Sequence, residues 1–182
     1  MTGLRIAVVA HSGSGKSTCA GLIERFAADA GLTHRRVKLA TPLYDLQRAV
    51  YQRAGVEPGS ETQDQILMEA LADAMRRINP ASLAADFTAR LTAGPPADVV
   101  VNDDLRDPEI DAVVLREHGF RVLRITCAEE VRLKRLAERG DPTRADRSTR
   151  DIDQITPDAV VDNSGSLPAC RTAVTELLRS WL

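Results

Sequence analysis

The stretch Leu4-Arg5-Ile6-Ala7-Val8-Val9-Ala10-His11-Ser12-Gly13-Ser14-Gly15-Lys16-Ser17-Thr18 decides how this 182-residue chain is read. Residues 4–10 form a nearly unbroken apolar run, as expected of a strand buried on both faces. Residues 10–18 follow the Walker A pattern, with Ala10 where the first glycine usually stands. Gly13 and Gly15 free the backbone to turn successive N–H groups inward, and Ser12 and Ser14 complete that anion-binding nest. Beyond the loop, Cys19, Leu22, Ile23, Phe26, Ala27 and Ala30 recur at helical spacing up to Gly31. That helix points its positive N-terminus at whatever anion the loop holds. At this spacing Lys16 reaches the outer phosphates of a nucleoside triphosphate, the Ser17 hydroxyl suits Mg²⁺, and Thr18 can hydrogen-bond the inner phosphate.

Outward from this segment, apolar runs alternate with helical patterns. Strands are predicted at Leu4–Ala10, Arg35–Ala40, Val99–Val101, Phe120–Thr126 and Ala159–Asp162. Helices are expected over Pro42–Ala54, from a capping box at Ser60–Gln63 to Asn79, and over Ser82–Thr92. A further helix opens at Asp107-Pro108 with Ile110, Val113 and Val114 as its apolar stripe. Another opens at a Thr126/Glu129 capping box and runs to about Arg139, and the last covers Leu167–Trp181. Stops are read at Gly31, Gly55 and Gly119. The alternation implies an α/β fold of three layers, a five-stranded parallel sheet between helices. Residues 41–94 hold helices and no strand, and read as an insert. The core is then 1–40, 95–139 and 154–182, with a polar loop at 140–153.

Composition narrows the function. A formal net charge of −2 argues against a dedicated nucleic-acid binder. No apolar run is long enough for a membrane span, and MTGLRIAVVA turns polar too early for a secretory signal. Three dispersed cysteines, Cys19, Cys127 and Cys170, have neither disulfide nor metal spacing, which fits a reducing cytoplasm.

Two further constellations carry chemistry. Asp103 and Asp104 stand at the carboxyl end of the third strand, where α/β sheets place ligands. Either can hold Mg²⁺ and orient an acceptor, and Arg106 can clamp a phosphate bidentately. Of the 21 arginines, against three lysines, Arg132, Arg135, Arg139, Arg144, Arg147 and Arg150 fall within one short segment. Such a stripe is commonly a solvated face paired with Glu129, Glu130 and Glu138. Behind a phosphate loop it also suits a lid whose cations close over a transferring group, with Arg132, Arg135 and Arg147 as the candidates.

In this order, the motifs resemble those of the P-loop nucleoside monophosphate kinases, and most of all the phage-type deoxynucleoside monophosphate kinases. The resemblance rests on Ala40-Thr41-Pro42-Leu43-Tyr44, Asp104-Leu105-Arg106 with Glu109, Asp146-Arg147-Ser148 with Asp151–Asp153, and Val160-Val161-Asp162-Asn163-Ser164-Gly165-Ser166-Leu167. It implies a P-loop kinase fold with a helical acceptor-binding insert and an Arg-rich lid. It implies transfer of the γ-phosphoryl group of ATP, with Mg²⁺, to a (deoxy)nucleoside monophosphate in the cytoplasm, a host's if the chain is viral. Lys16, Asp104, Arg106, Arg132, Arg135 and Arg147 would act in catalysis, with Ser17 and Asp104 on the metal. Asn163 and Gly165 would pass near the adenine. Arg76, Arg77, Asp64, Gln65, Met68, Asp103 and Arg106 would meet the acceptor. A homodimer is compatible with the resemblance, and no nucleic-acid or membrane partner is expected. The alternatives are a kinase of another small acceptor, such as dephospho-coenzyme A or a phosphorylated metabolite, and a nucleotide-binding protein without turnover.

Overall fold

The structure, a computed structural model, describes residues 3–56, 63–138 and 151–182. Strand β1 (Leu4–Val9) leads to α1 (Lys16–Asp29), β2 (His34–Arg36), α2 (Thr41–Arg53), α3 (Gln65–Ile78) and α4 (Ser82–Ala93). Then follow β3 (Val99–Asn102), α5 (Asp111–Glu117), β4 (Phe120–Thr126), α6 (Glu129–Glu138), a 3-10 turn (Ile152–Gln154), β5 (Ala159–Asp162) and α7 (Leu167–Trp181). The strands are parallel throughout, in the order β2-β3-β1-β4-β5. The phosphate-loop strand β1 is therefore central, with Leu4 opposite Val99 of β3 and Arg5 opposite Phe120 of β4.

The chain divides into two compact units, Met1–Val37 with Pro95–Leu182, and Lys38–Gly94. In the first, Ile6, Val8, Val99, Val101, Leu123 and Ile125 pack with Cys19 and Ile23 of α1 and Val174 and Leu178 of α7. Successive strand residues point to opposite faces, and the alternates Ala7, Val9, Val100 and Val122 are buried as well. Helix α5 packs against β4. A strand hidden on both faces cannot afford alternation, which is why β1 reads as a continuous apolar run. In the second unit, α2, α3 and α4 close around Leu43, Met68 and Leu83, with Leu71 and Met75 at the margin.

Four sequence expectations are corrected. Strand β2 ends at Arg36 rather than Ala40. The Val37 N–H still donates to the Val101 carbonyl at 2.9 Å, but the Val37 carbonyl is taken by the Asn102 side chain at 3.0 Å. The cap of α3 is Asp64, whose carboxylate accepts from the Leu67 N–H at 3.0 Å, in place of the box at Ser60. Residues Ser60–Thr62 of that box lie outside the described residues. In α5 the buried positions are Asp111, Ala112 and Leu115, while Val113 is exposed. Asp107 caps the turn ahead of α5, accepting from the N–H groups of Glu109, Ile110 and Asp111, so the helix starts later and its inward face rotates. Thr126 does not cap α6; the residue before the helix is Ala128, whose N–H donates to the Ser164 hydroxyl at 2.7 Å. The remaining boundaries fall within a residue or two of those read from the sequence. All three glycine stops have positive φ.

Candidate functional site

The loop between β1 and α1 has the backbone that its glycines predict. Gly13 and Gly15 lie at φ +85° and +95°, a region that side chains disfavour. Space excludes a side chain as well. A Cβ on Gly13 would stand 2.9 Å from the Arg132 Cγ, the Arg132 carbonyl and Leu136, and one on Gly15 would overlap the Asn163 Nδ2. Lys16 opens α1 and is half-buried, whereas Ser17 and Thr18 are exposed on its first turn. Within the loop, the Ser14 N–H donates to the His11 carbonyl at 3.1 Å, and the Cys19 N–H donates to the Gly15 carbonyl at 2.9 Å, starting the helix ladder.

Two distant segments hold the loop from behind. The Asn163 side chain, 5 % exposed, donates from Nδ2 to the Ser14 carbonyl at 2.8 Å, and its own N–H donates to the Thr126 carbonyl at 2.8 Å. Arg135 donates to the Asn163 carbonyl at 3.1 Å and to the Cys127 Sγ at 3.4 Å. Arg132 donates to the Ser12 carbonyl at 3.3 Å and to Glu129 at 3.4 Å. Arg132 and Arg135 are thus both anchored at the loop, Arg132 directly and Arg135 through Asn163. Gly165 is exposed, with open space around it. Arg147 lies outside the described residues, as do Arg139, Arg144 and Arg150.

Beside β1, the carboxyl end of β3 sorts the two aspartates. Asp103 is buried and accepts from Arg36 at 2.8 Å, while Arg36 grips both oxygens of Glu24 at 2.9 and 2.7 Å. Asp104 is half-buried and accepts from the Asn102 Nδ2 at 2.7 Å. The Asn102 Oδ1 receives the N–H groups of Asp104 and Leu105, which fixes the turn. Arg106, half-buried, is two residues on. An open pocket of about 470 Å³ lies off the carboxyl ends of β1 and β4, lined among others by His11, Ser12, Ser14, Arg124 and Arg132. Ligands of α/β sheets bind at such strand ends.

No family model and no curated protein matches the chain. Among the solved structures that match it over nearly its whole length are two kinases. One is a gluconokinase from Sinorhizobium meliloti 1021, at 19 % identity and TM-score 0.51, spanning 98 % of this chain and 97 % of the other. The second is a shikimate kinase from Bacteroides thetaiotaomicron, at 12 % identity and TM-score 0.51, spanning 97 % of each chain. The chain has the P-loop kinase fold.

In this P-loop kinase fold, the candidates of the second unit hold varied places. Met68 is buried in the unit's apolar cluster, packed with Leu43 and Leu83. Asp64 caps α3, accepts from the Tyr51 hydroxyl at 3.0 Å, and gives its own N–H to the Gln47 Oε1 at 3.0 Å. The Leu67 N–H, then the Tyr51 hydroxyl, hold its carboxyl below the usual range. Gln65 donates to Glu69 at 2.9 Å. Arg76 and Arg77 sit in the last turn of α3, Arg76 half-buried and Arg77 exposed.

Sequence reasoning missed two arginines around the site, Arg124 and Arg36, and gave Asp153 only as part of the resemblance. Arg124 donates to the Ile152 and Ile155 carbonyls at 2.9 and 2.6 Å and pins that segment. Asp153 of the same segment meets the His11 ring at 3.2 Å. Arg36, with its carboxylate partners, braces the β3 end. For the two arginines the only signal was a cationic residue inside a strand, and no spacing rule links it to a partner in a distant element. Among the described residues no helix is long and apolar enough to cross a membrane, and no group of three or more His, Cys, Asp or Glu could hold a metal ion.

Proposed function

We propose that this protein is an ATP-dependent phosphotransferase that passes the γ-phosphoryl group to a small-molecule acceptor. The observation that carries the reading is the loop after β1. It combines two glycines at positive φ, no room for a Cβ, and a lysine as the first residue of the following helix. The names of the two structural neighbours support a small acceptor.

The donor set suits a triphosphate. The loop N–H groups and the N-terminus of α1 bind anionic oxygens, and Lys16 neutralises charge between the outer phosphates. Mg²⁺, when bound, would neutralise negative charge on the outer phosphates. Ser17 and Asp104 are the residues that would hold it, and few protein ligands are needed where substrate phosphates supply the rest. Asp104 orients the acceptor and, for a hydroxyl acceptor, can accept its proton. Arg106 positions an anionic group of the acceptor. Arg132, tied to the Ser12 carbonyl, would stabilise charge developing over the loop. The unit Lys38–Gly94 would receive the acceptor.

A second reading takes a (deoxy)nucleoside monophosphate as the acceptor. Asp104-Leu105-Arg106 and Asn163-Ser164-Gly165 favour it, and a phosphate acceptor, already anionic, needs no base. One assay separates the readings: ADP release from ATP and Mg²⁺ across gluconate, shikimate, dephospho-coenzyme A and the nucleoside monophosphates. The expected result is turnover with one class, abolished by Lys16→Ala at unchanged melting temperature. Nucleotide binding without ADP release in the presence of any acceptor would sink the transferase reading.

A further inference from the structure

A second concavity lies on the first unit, on the surface that α1 and α7 share, with a volume of about 350 Å³. Leu22 and Phe26 of α1 line it, as do Arg25, Arg171 and Arg179. Arg171 and Arg179 are eight residues apart on α7, so both project from one side of that helix. The only carboxylate in the lining is Asp29. Among the described residues, none of these three arginines makes a hydrogen bond or ion pair within the chain. Apart from Arg53 and Arg77, the other described arginines have a partner. Arg36 is paired with Glu24 and Asp103, Arg116 with Asp158, and Arg132 with Glu129.

Three guanidiniums against one carboxylate leave this concavity with a net positive charge, which a bound anion would neutralise. Guanidinium forks match phosphate oxygens bidentately, whereas Leu22 and Phe26 offer an apolar floor that a bare inorganic ion cannot use. Pocket volume is at the small end of ligand sites. We propose that this α1–α7 pocket binds a small molecule that carries a phosphate-type dianion on an apolar or aromatic body, at a site separate from the phosphate loop. Arg25 lies nine residues beyond Lys16 on the same helix, about 13 Å along its axis. Such a ligand would therefore bridge the helix that begins with Lys16 and the helix that follows the Asn163–Ser166 turn.

The test uses 1-naphthyl phosphate as the probe, with 1-naphthol and inorganic phosphate as the arms lacking the anion and the apolar body. Binding to the full chain is followed by calorimetric titration. The expected result is one saturable site for 1-naphthyl phosphate, bound at least tenfold more tightly than either arm. Arg171→Gln combined with Arg179→Gln should weaken it more than tenfold, and Lys16→Ala should leave it within twofold. Both arginines are exposed, so the variant should melt within a few degrees of wild type; Arg25→Gln, tested alone, gives an independent loss of affinity. Three results would overturn the proposal. One is no binding at millimolar probe. Another is equal binding by wild type and the arginine variants, including a double variant that fails to fold while Arg25→Gln binds normally. The third is a size-exclusion profile showing a dimer that the arginine substitutions dissociate, which would assign the pocket to a second copy of the chain.

Discussion

Replacing Gly15 with alanine tests the phosphate loop's construction without any ligand. The residue sits at φ +95°, which costs an alanine about 1–2 kcal/mol. Its new Cβ would also overlap the Asn163 Nδ2, with the Asn163 Cγ at 3.5 Å and the Arg135 Nη1 at 3.9 Å. Asn163 would have to withdraw, breaking its 2.8 Å bond to the buried Ser14 carbonyl, worth about 1–3 kcal/mol when the acceptor is left unsatisfied. Gly15→Ala should therefore cost about 2–5 kcal/mol in total. Asn163→Ala alone removes the same bond, about 1–3 kcal/mol. In the double variant the bond is lost only once and the overlap is gone, so the two losses are sub-additive by about 1–3 kcal/mol. Urea unfolding of the four proteins gives this coupling directly. Gly31→Ala is the control: φ is +69°, nothing lies within 4 Å of its Cβ, and only the conformational cost of about 1–2 kcal/mol applies, uncoupled to Asn163. Losses for Gly15→Ala and Asn163→Ala that add to within about 0.5 kcal/mol would refute the reasoning.

Arg36→Ala should destabilise by about 2–3 kcal/mol, at the low end for a broken buried pair because the Arg36 side chain is 27 % exposed. Asp103 would keep no partner for either oxygen, and Arg36→Lys should rescue little, since an ammonium cannot span Glu24 and Asp103 together; chemical denaturation measures both. Asp64→Ala should lower the melting temperature at neutral pH. Because the folded carboxyl titrates below its ordinary 3.8, the stabilisation is complete above that value and lost as pH falls through the lower folded value, so thermal melts of the two proteins should converge in acid. Burial, then the neighbouring Cys170, pushes the Cys19 thiol up to about 12, and Cys170 is itself buried. Native protein at pH 8 should alkylate readily only at half-buried Cys127, with the other two labelling after unfolding, as mass spectrometry would show.

The parts of the fold legible in the sequence are those set by local rules. An unbroken apolar run placed β1, which is buried on both faces, alternation placed β4, and the phosphate loop was readable because its glycines and lysine serve one backbone shape. The misses share one cause. Strand β2 was overextended because Val37 and Leu39 are buried without belonging to the ladder, and apolar character cannot tell a strand from a buried connection. The α3 cap went to Ser60 because a capping box recurs by chance, while the carboxylate that holds the helix end, Asp64, is fixed partly by Tyr51 from another helix. Only the resemblance separated Asp104 from Asp103 in the sequence, because Arg36, which engages Asp103, lies 67 residues away. Arg124 looked like an ordinary strand residue for the same reason.

The clamp behind the phosphate loop also has a consequence in time. The Asn163 bond to Ser14 spans 149 residues, and the Arg132 bond to Ser12 spans 120. During synthesis the glycine-rich segment leaves the ribosome 149 residues ahead of Asn163, which braces it. A nascent chain stopped short of β5 would carry the complete motif and still lack Asn163, and with it the hydrogen bond that steadies the loop's shape. The most recognisable part of the sequence is thus finished only when a segment made long after it has arrived.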